Sequence, residues 1–161
     1  MPEQPQDASP DALTTRIGQA IVLLHGGDRE EAGNRLHHLW EESADRPLHR
    51  CTIAHYLADT QDDPVEELRW DRRALAAADA VTSDPGAAGE EAVATVRGFY
   101  PSLHLNLAAD HVKLGDAEAA RRELADARRL AGDLAHDAYG NGVRAALDRL
   151  ELRLADPGPR P

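Results

Sequence analysis

The chain has 161 residues, 42% hydrophobic but only 4% aromatic, which is enough for one domain with a core of Leu, Ala, Val and Ile. Its net charge of −11 argues against unaided binding to nucleic acid or to an anionic membrane surface. A single cysteine, Cys51, excludes an internal disulfide framework and a cysteine-only zinc site. Residues 1–8 are polar and aperiodic, which predicts a disordered tail. Ser9-Pro10-Asp11 then predicts a helix start, with Leu13, Ile17, Ala20, Ile21 and Leu24 as its apolar stripe and Gly26-Gly27 as its stop. Asp28, with Glu31 three residues on, predicts the cap of a second helix carrying Ala32, Leu36, Leu39 and Trp40.

A second pair of helices begins near Pro47. Ile53, Ala54 and Leu57 mark its first helix, and Thr60-Gln61-Asp62-Asp63 turns the chain without glycine. Asp63-Pro64-Val65-Glu66 combines a cap, a first-turn proline and a reciprocal glutamate, and predicts a helix running to about Val81 through Leu68, Ala74, Leu75 and Ala78. Ser83-Asp84-Pro85-Gly86 reads as a turn. Glu90–Arg97 is helix-compatible and predicts an N-terminal extension of the next helix, with a kink at Gly98–Pro101.

Ser102 to Ala131 contains the clearest pattern. Leu103, Leu107, Ala108 and Leu114 recur at helical spacing, Gly115-Asp116 turns the chain, and Ala120, Leu124, Ala127 and Ala131 form the matching stripe. Ala20, Gly27-Asp28, Ala32 and Leu36 repeat that scheme near the start of the chain. A last helix, from Leu134 to Leu154, carries Val143, Leu147 and Leu150, and a second disordered tail is predicted over 156–161.

These residues resemble the tetratricopeptide repeat (TPR) family: a leucine and a small residue in one helix, Gly-Asp at the turn, then Ala…Leu…Ala in the next. Gly27-Asp28 and Gly115-Asp116 stand 88 residues apart, so two TPR periods of about 34 residues fit with an insertion of about 20, placed in 82–100. The resemblance implies an all-α, right-handed solenoid over 9–155, with hairpin units at about 10–43, 47–81 and 88–132 and a capping helix at 134–155. It also implies that a partner lies along a concave groove formed by the first helix of each unit. That groove would take Ile17, Ile21 and Leu24 from unit one, Cys51 and His55 from unit two, and Leu105, Ala109 and Val112 from unit three. Asn106 stands beside them, where members of the family contact peptide backbone. Carboxylate-binding members also place Lys or Arg in the groove, where this chain has Thr14, Gly18, Thr52 and Ser102.

Other chemistry is weakly signalled. Cys51, His55 and Asp59 share a helix face, as do His104 and His111 with Asp110 adjacent, but neither HExxH nor paired CxxC occurs. A Cys51–His55 nucleophile would need an orienting group and an oxyanion site that no local pattern supplies. Adjacent carboxylates such as Glu30-Glu31, Glu41-Glu42, Asp62-Asp63 and Glu90-Glu91 point about 100° apart on a helix and read as caps and solvated faces. Arg121, Arg122, Arg128 and Arg129 form a basic stripe read as surface, with docking of an acidic partner as the other reading. The expectation is a cytoplasmic, non-catalytic adaptor of bacterial composition, arginine-rich with Lys113 its only lysine, that binds a peptide or helix of another protein and holds no cofactor. The alternative is a small-molecule or metal-binding protein using the Cys51/His55/His104 region.

Overall fold

Short acidic side chains and prolines punctuate the chain into helices. The computed structural model describes residues 10–155, and they form α1 (Pro10–His25), α2 (Arg29–Glu42), α3 (Pro47–Asp59), α4 (Pro64–Ser83), α5 (Pro85–Ala88), α6 (Glu90–Lys113), α7 (Ala117–Ala131) and α8 (Ala138–Ala155), with no strand among them. The protein is all-α over this span. The two predicted tails and the Ser9 cap lie outside the described residues. No described helix is long and apolar enough to cross a membrane.

Asp28 and Asp63 cap their helices as read from the sequence and Asp116 adds a third cap, while Glu31 and Glu66 bond Arg35 and Arg69. Asp28 accepts the Glu31 N–H at 3.3 Å, Asp63 the Val65 N–H at 2.9 Å and Asp116 the Ala119 N–H at 3.0 Å. Each satisfies a backbone donor that the first turn of a helix would otherwise leave unpaired. The α1–α2 and α6–α7 turns are the same object. Asp28 N–H bonds the Leu23 carbonyl at 3.0 Å and Gly27 N–H the Leu24 carbonyl at 3.1 Å; Asp116 and Gly115 repeat this with His111 and Val112 at 2.9 and 3.1 Å. Gly27 and Gly115 have φ of +94° and +77°, the left-handed conformation that closes such a helix end. The glycine-free turn after α3 closes differently, with the Thr60 hydroxyl donating to the Leu57 carbonyl at 2.7 Å.

Three boundaries depart from the sequence reading. Helix α4 runs two residues past Val81, and the expected turn at 83–86 includes a four-residue helix whose Asp84 cap accepts from Ala87 N–H at 3.3 Å. The last helix starts at Ala138, not near Leu134, because Asp137 accepts the Gly140 N–H at 2.8 Å and fixes the start there. Arg144 turns back to the Leu134 and Ala135 carbonyls, so the linker is held outside the helix. Helix α6 is one element of 24 residues with Pro101 buried inside it.

Packing follows chain order. Apart from the short α5, which rests on α4 and α6, each helix lies on the next: α1 on α2, α2 on α3, α3 on α4, α4 on α6, α6 on α7 and α7 on α8. The alternate contacts α1–α3, α3–α6 and α6–α8 are also made. Two apolar clusters result. The larger gathers α1 to α4 and α6 as far as Leu103, through Ile17, Leu36, Leu57, Ala78, Val96 and Leu103 among others. The smaller gathers Ala108 with Leu124 and Ala127 of α7 and Val143, Leu147 and Leu150 of α8. In the first, Trp40 and Trp70 meet edge to face at 5.2 Å, and the Arg50 guanidinium lies 3.5 Å from the Trp40 ring centre.

Ala108 and Ala120 have no exposed surface, as expected where α6 and α7 approach closely. Ala120→Leu is expected to lower stability by about 1–3 kcal/mol through overpacking. Chemical denaturation measures this, with an exposed Ala→Leu change at Ala125 as the reference.

Candidate functional site

The α1, α3, α6 and α8 helices enclose a pocket of about 230 Å³ lined by Ile21, Cys51, Thr52, His55, Tyr56, Phe99, Ser102, Leu103 and Tyr139. Three of the chain's four Tyr and Phe residues line it, although aromatics are scarce. A larger hollow of about 710 Å³ near the α3 start and α5 is more open, and its alanines are mixed with charged and polar side chains such as Asp45, Arg46 and Asp84 rather than with Tyr or Phe rings. The enclosed aromatic pocket is therefore the better binding site.

Tyr139 helps to build it. Its hydroxyl donates to the Gly98 carbonyl of α6 at 2.9 Å. Tyr139 has then used its only proton, so the Ser102 hydroxyl, 2.6 Å away, donates to it. This pair of bonds brings α8 across the open side of α6 and closes one wall of the pocket.

The opposite wall is set by His55. The Asn106 amide Nδ2 lies 3.1 Å from His55 Nδ1 and donates to it, which fixes the neutral ring with its proton on Nε2. Burial pushes the His55 pKa down, against the attraction of Asp59. The ring is also edge-on to Tyr56 at 4.9 Å. The pocket thus presents rings, a hydroxyl and a neutral imidazole, without an ionised group.

The residues expected along one concave groove separate into four groups, with Cys51 belonging to two of them. Ile21, Cys51 and His55 do share the pocket, and Asn106 is its support. Ile17 and Cys51 are only 5% and 1% exposed and belong to the first core, so they are packing residues and not an open groove floor. Leu105 and Val112 pack against the second core with Leu134 and Leu154, because α8 covers that face of α6. Leu24 and Ala109 are half-buried and line no part of the pocket.

The Cys51/His55/His104 combination does not assemble. His104 faces α7, with Nδ1 2.7 Å from Glu123, and shares a cluster with Glu123 and Asp126. Burial pushes the Cys51 thiol up to about 12, with the nearby Asp79 adding to the effect. A thiol held protonated is neither a nucleophile nor a ready metal ligand. The basic stripe is also engaged: Arg128 pairs with Asp148 and Glu151 of α8 at 2.6 Å each, Arg122 with Glu118, Arg129 with Asp126, and Arg121 with the Leu154 carbonyl.

Sequence reasoning missed Tyr56, Phe99 and Tyr139, which meet only once α8 folds over α6. It also missed Asp71 and set Asp110 only beside His111, whereas Asp71 and Asp110 face each other between α4 and α6 at 3% and 1% exposure. For these a signal existed. Asp71 lies three and seven residues before the core positions Ala74 and Ala78, and Asp110 lies three after Leu107, so both interrupt buried stripes. Burial raises Asp71 to about 7 and Asp110 to about 10, the neighbouring carboxyl adding to the Asp110 shift.

A scan of protein-family models matches no family to this chain, and searches of curated proteins and of solved structures return no match.

Two outcomes follow. Cys51 should resist alkylation and disulfide exchange in the native protein and react only after denaturant is added, measured by absorbance of the released thiol reagent. In chelating buffer, the raised carboxyls bind more protons folded than unfolded, so stability should fall as pH rises from about 4 through the Asp71 value of about 7 towards the Asp110 value of about 10. Asp110→Asn should flatten that decline and add about 1–3 kcal/mol at alkaline pH, read by denaturant titration across pH.

Proposed function

We propose that the protein is a non-catalytic interaction module, a TPR-like solenoid of three hairpins with α8 as its terminal cover. Its partner is a peptide segment that inserts one apolar side chain into the pocket between α1, α3, α6 and α8. The aromatic lining by Tyr56, Phe99 and Tyr139 is the observation that carries this reading. At about 230 Å³ the pocket is smaller than the usual ligand cavity of about 300–1,000 Å³, and suits a side chain better than a whole small molecule. Rings around a buried anchor are the typical composition of an interface hot spot.

The chain-ordered packing and the repeated Gly-Asp turns support the solenoid. The inert Cys51 thiol and the neutral, already bonded His55 support a binding role over catalysis. The net charge of −11 favours a partner whose flanking residues are basic.

The test is selection from a random peptide display library, followed by binding to Thr52→Phe. Thr52 lines the pocket and is half-buried, so the larger ring fills the space while leaving the core residues in place. Selected peptides should share an apolar anchor with basic flanks and bind Thr52→Phe at least about tenfold more weakly, with the melting temperature little changed. Peptides that bind the variant as well as the parent would show that this pocket is not the docking site.

A further inference from the structure

A second site lies in the seam between α4 and α6, away from the pocket. Glu67 and Asp71 are four residues apart on α4 and so share one face; Asp110 meets them from α6. One carboxylate oxygen from each lies within 4.8 Å of the others. Clustered acids alone are commonplace on protein surfaces. These differ because Asp110 is 1% exposed and neither of its oxygens has a hydrogen-bonding partner, while Asp71 is 3% exposed and leaves one oxygen unpartnered. Buried polar atoms are nearly always paired, and an unpaired carboxylate is among the costliest groups to bury. A buried carboxylate whose two oxygens lack a donor, set beside two further carboxylates, calls for a shared positive centre.

The geometry points to a divalent-cation site formed by Glu67, Asp71 and Asp110, of the size and hardness of Mg²⁺ or Mn²⁺. The donors are all carboxylate oxygen, which selects hard ions over zinc or copper. Short Asp side chains on two packed helices restrict the site to a small ion that keeps water on its remaining positions, where Ca²⁺ would demand more oxygens. Charge balance agrees. Three ionised carboxylates and Lys113, whose Nζ lies 2.8 and 2.9 Å from the two Glu67 oxygens, sum to −2, and Asp59 of α3 adds to the negative field at Asp71. Glu67 keeps 17% of its side chain exposed and Lys113 49%, so these two residues form the mouth through which an ion enters. Without an ion, a proton shared between Asp71 and Asp110 fills the same role, and the ion must displace it.

Mn²⁺ is the probe. The full chain is stripped with chelator, dialysed and titrated with manganese chloride, and free Mn²⁺ is read from its electron paramagnetic resonance spectrum. About one ion should bind per chain, more tightly at about pH 8 than at about pH 6 because protons compete, and it should raise the melting temperature. Asp110→Asn should weaken binding by at least about tenfold, and Glu67→Gln at the mouth should do likewise. Glu123→Gln, in the separate His104 cluster, should leave it unchanged. If Asp110→Asn fails to fold, Glu67→Gln decides. No binding to the parent at millimolar Mn²⁺ would overturn the assignment, as would full binding by both seam variants or its loss in Glu123→Gln.

Discussion

The structure depends on α6 serving two cores at once. As far as Leu103 it contributes Val93, Val96 and Leu103 to the cluster with α1 to α4, and beyond that point Ala108 joins the cluster with α7 and α8. A helix of 24 residues is about 36 Å long, enough to serve two packing centres. Pro101 lies in the part that serves the first cluster. The Gly98 carbonyl of α6 accepts from the Tyr139 hydroxyl, and that bond joins the terminal helix to the body beside the pocket. One spine and one phenol therefore tie the packing to the site.

The seam between α4 and α6 runs against this logic of economy. Positions facing one another across two packed helices would be more stably filled by Leu or Met, since buried ionisable groups seldom repay their desolvation. Asp71 and Asp110 occupy them, with Lys113 and Glu67 bonded at the edge. Stability does not explain that choice. The pocket makes the opposite choice, excluding charge and holding its one imidazole neutral through Asn106.

Local chemistry was the part most legible in the sequence. Gly27-Asp28 and Gly115-Asp116 announced two equivalent turns, because only glycine takes the left-handed conformation freely and only a short polar side chain caps the next helix. The extension of α6 back to Glu90 was readable for the same reason, from helix-compatible residues ahead of a strong stripe. The groove was only partly legible. An apolar stripe looks the same whether it faces a groove or a neighbour, so Ile17 and Leu105 were assigned to a surface that α3 and α8 respectively help to cover. Tyr139 was invisible, since its partner Gly98 lies 41 residues away and carries no side chain. The pairing of Asp71 with Asp110 was readable but passed over, because attention went to adjacent acids and not to acids placed on apolar stripes.

The order in which helices touch also governs how the chain finds its structure. The helices pack mainly on near neighbours in chain order, and among the described residues no Cα of α1 or α2 lies within 8 Å of α7 or α8. The loops to be closed are short, so little entropy is lost before contacts form, and such topologies fold at the fast end of the natural range. Either core can nucleate, and α6 then serves as the template on which the other half condenses. Tension applied to the two ends would be borne in series along the helices, and the molecule would yield piece by piece, each terminal helix peeling from its neighbour before the interior feels the load.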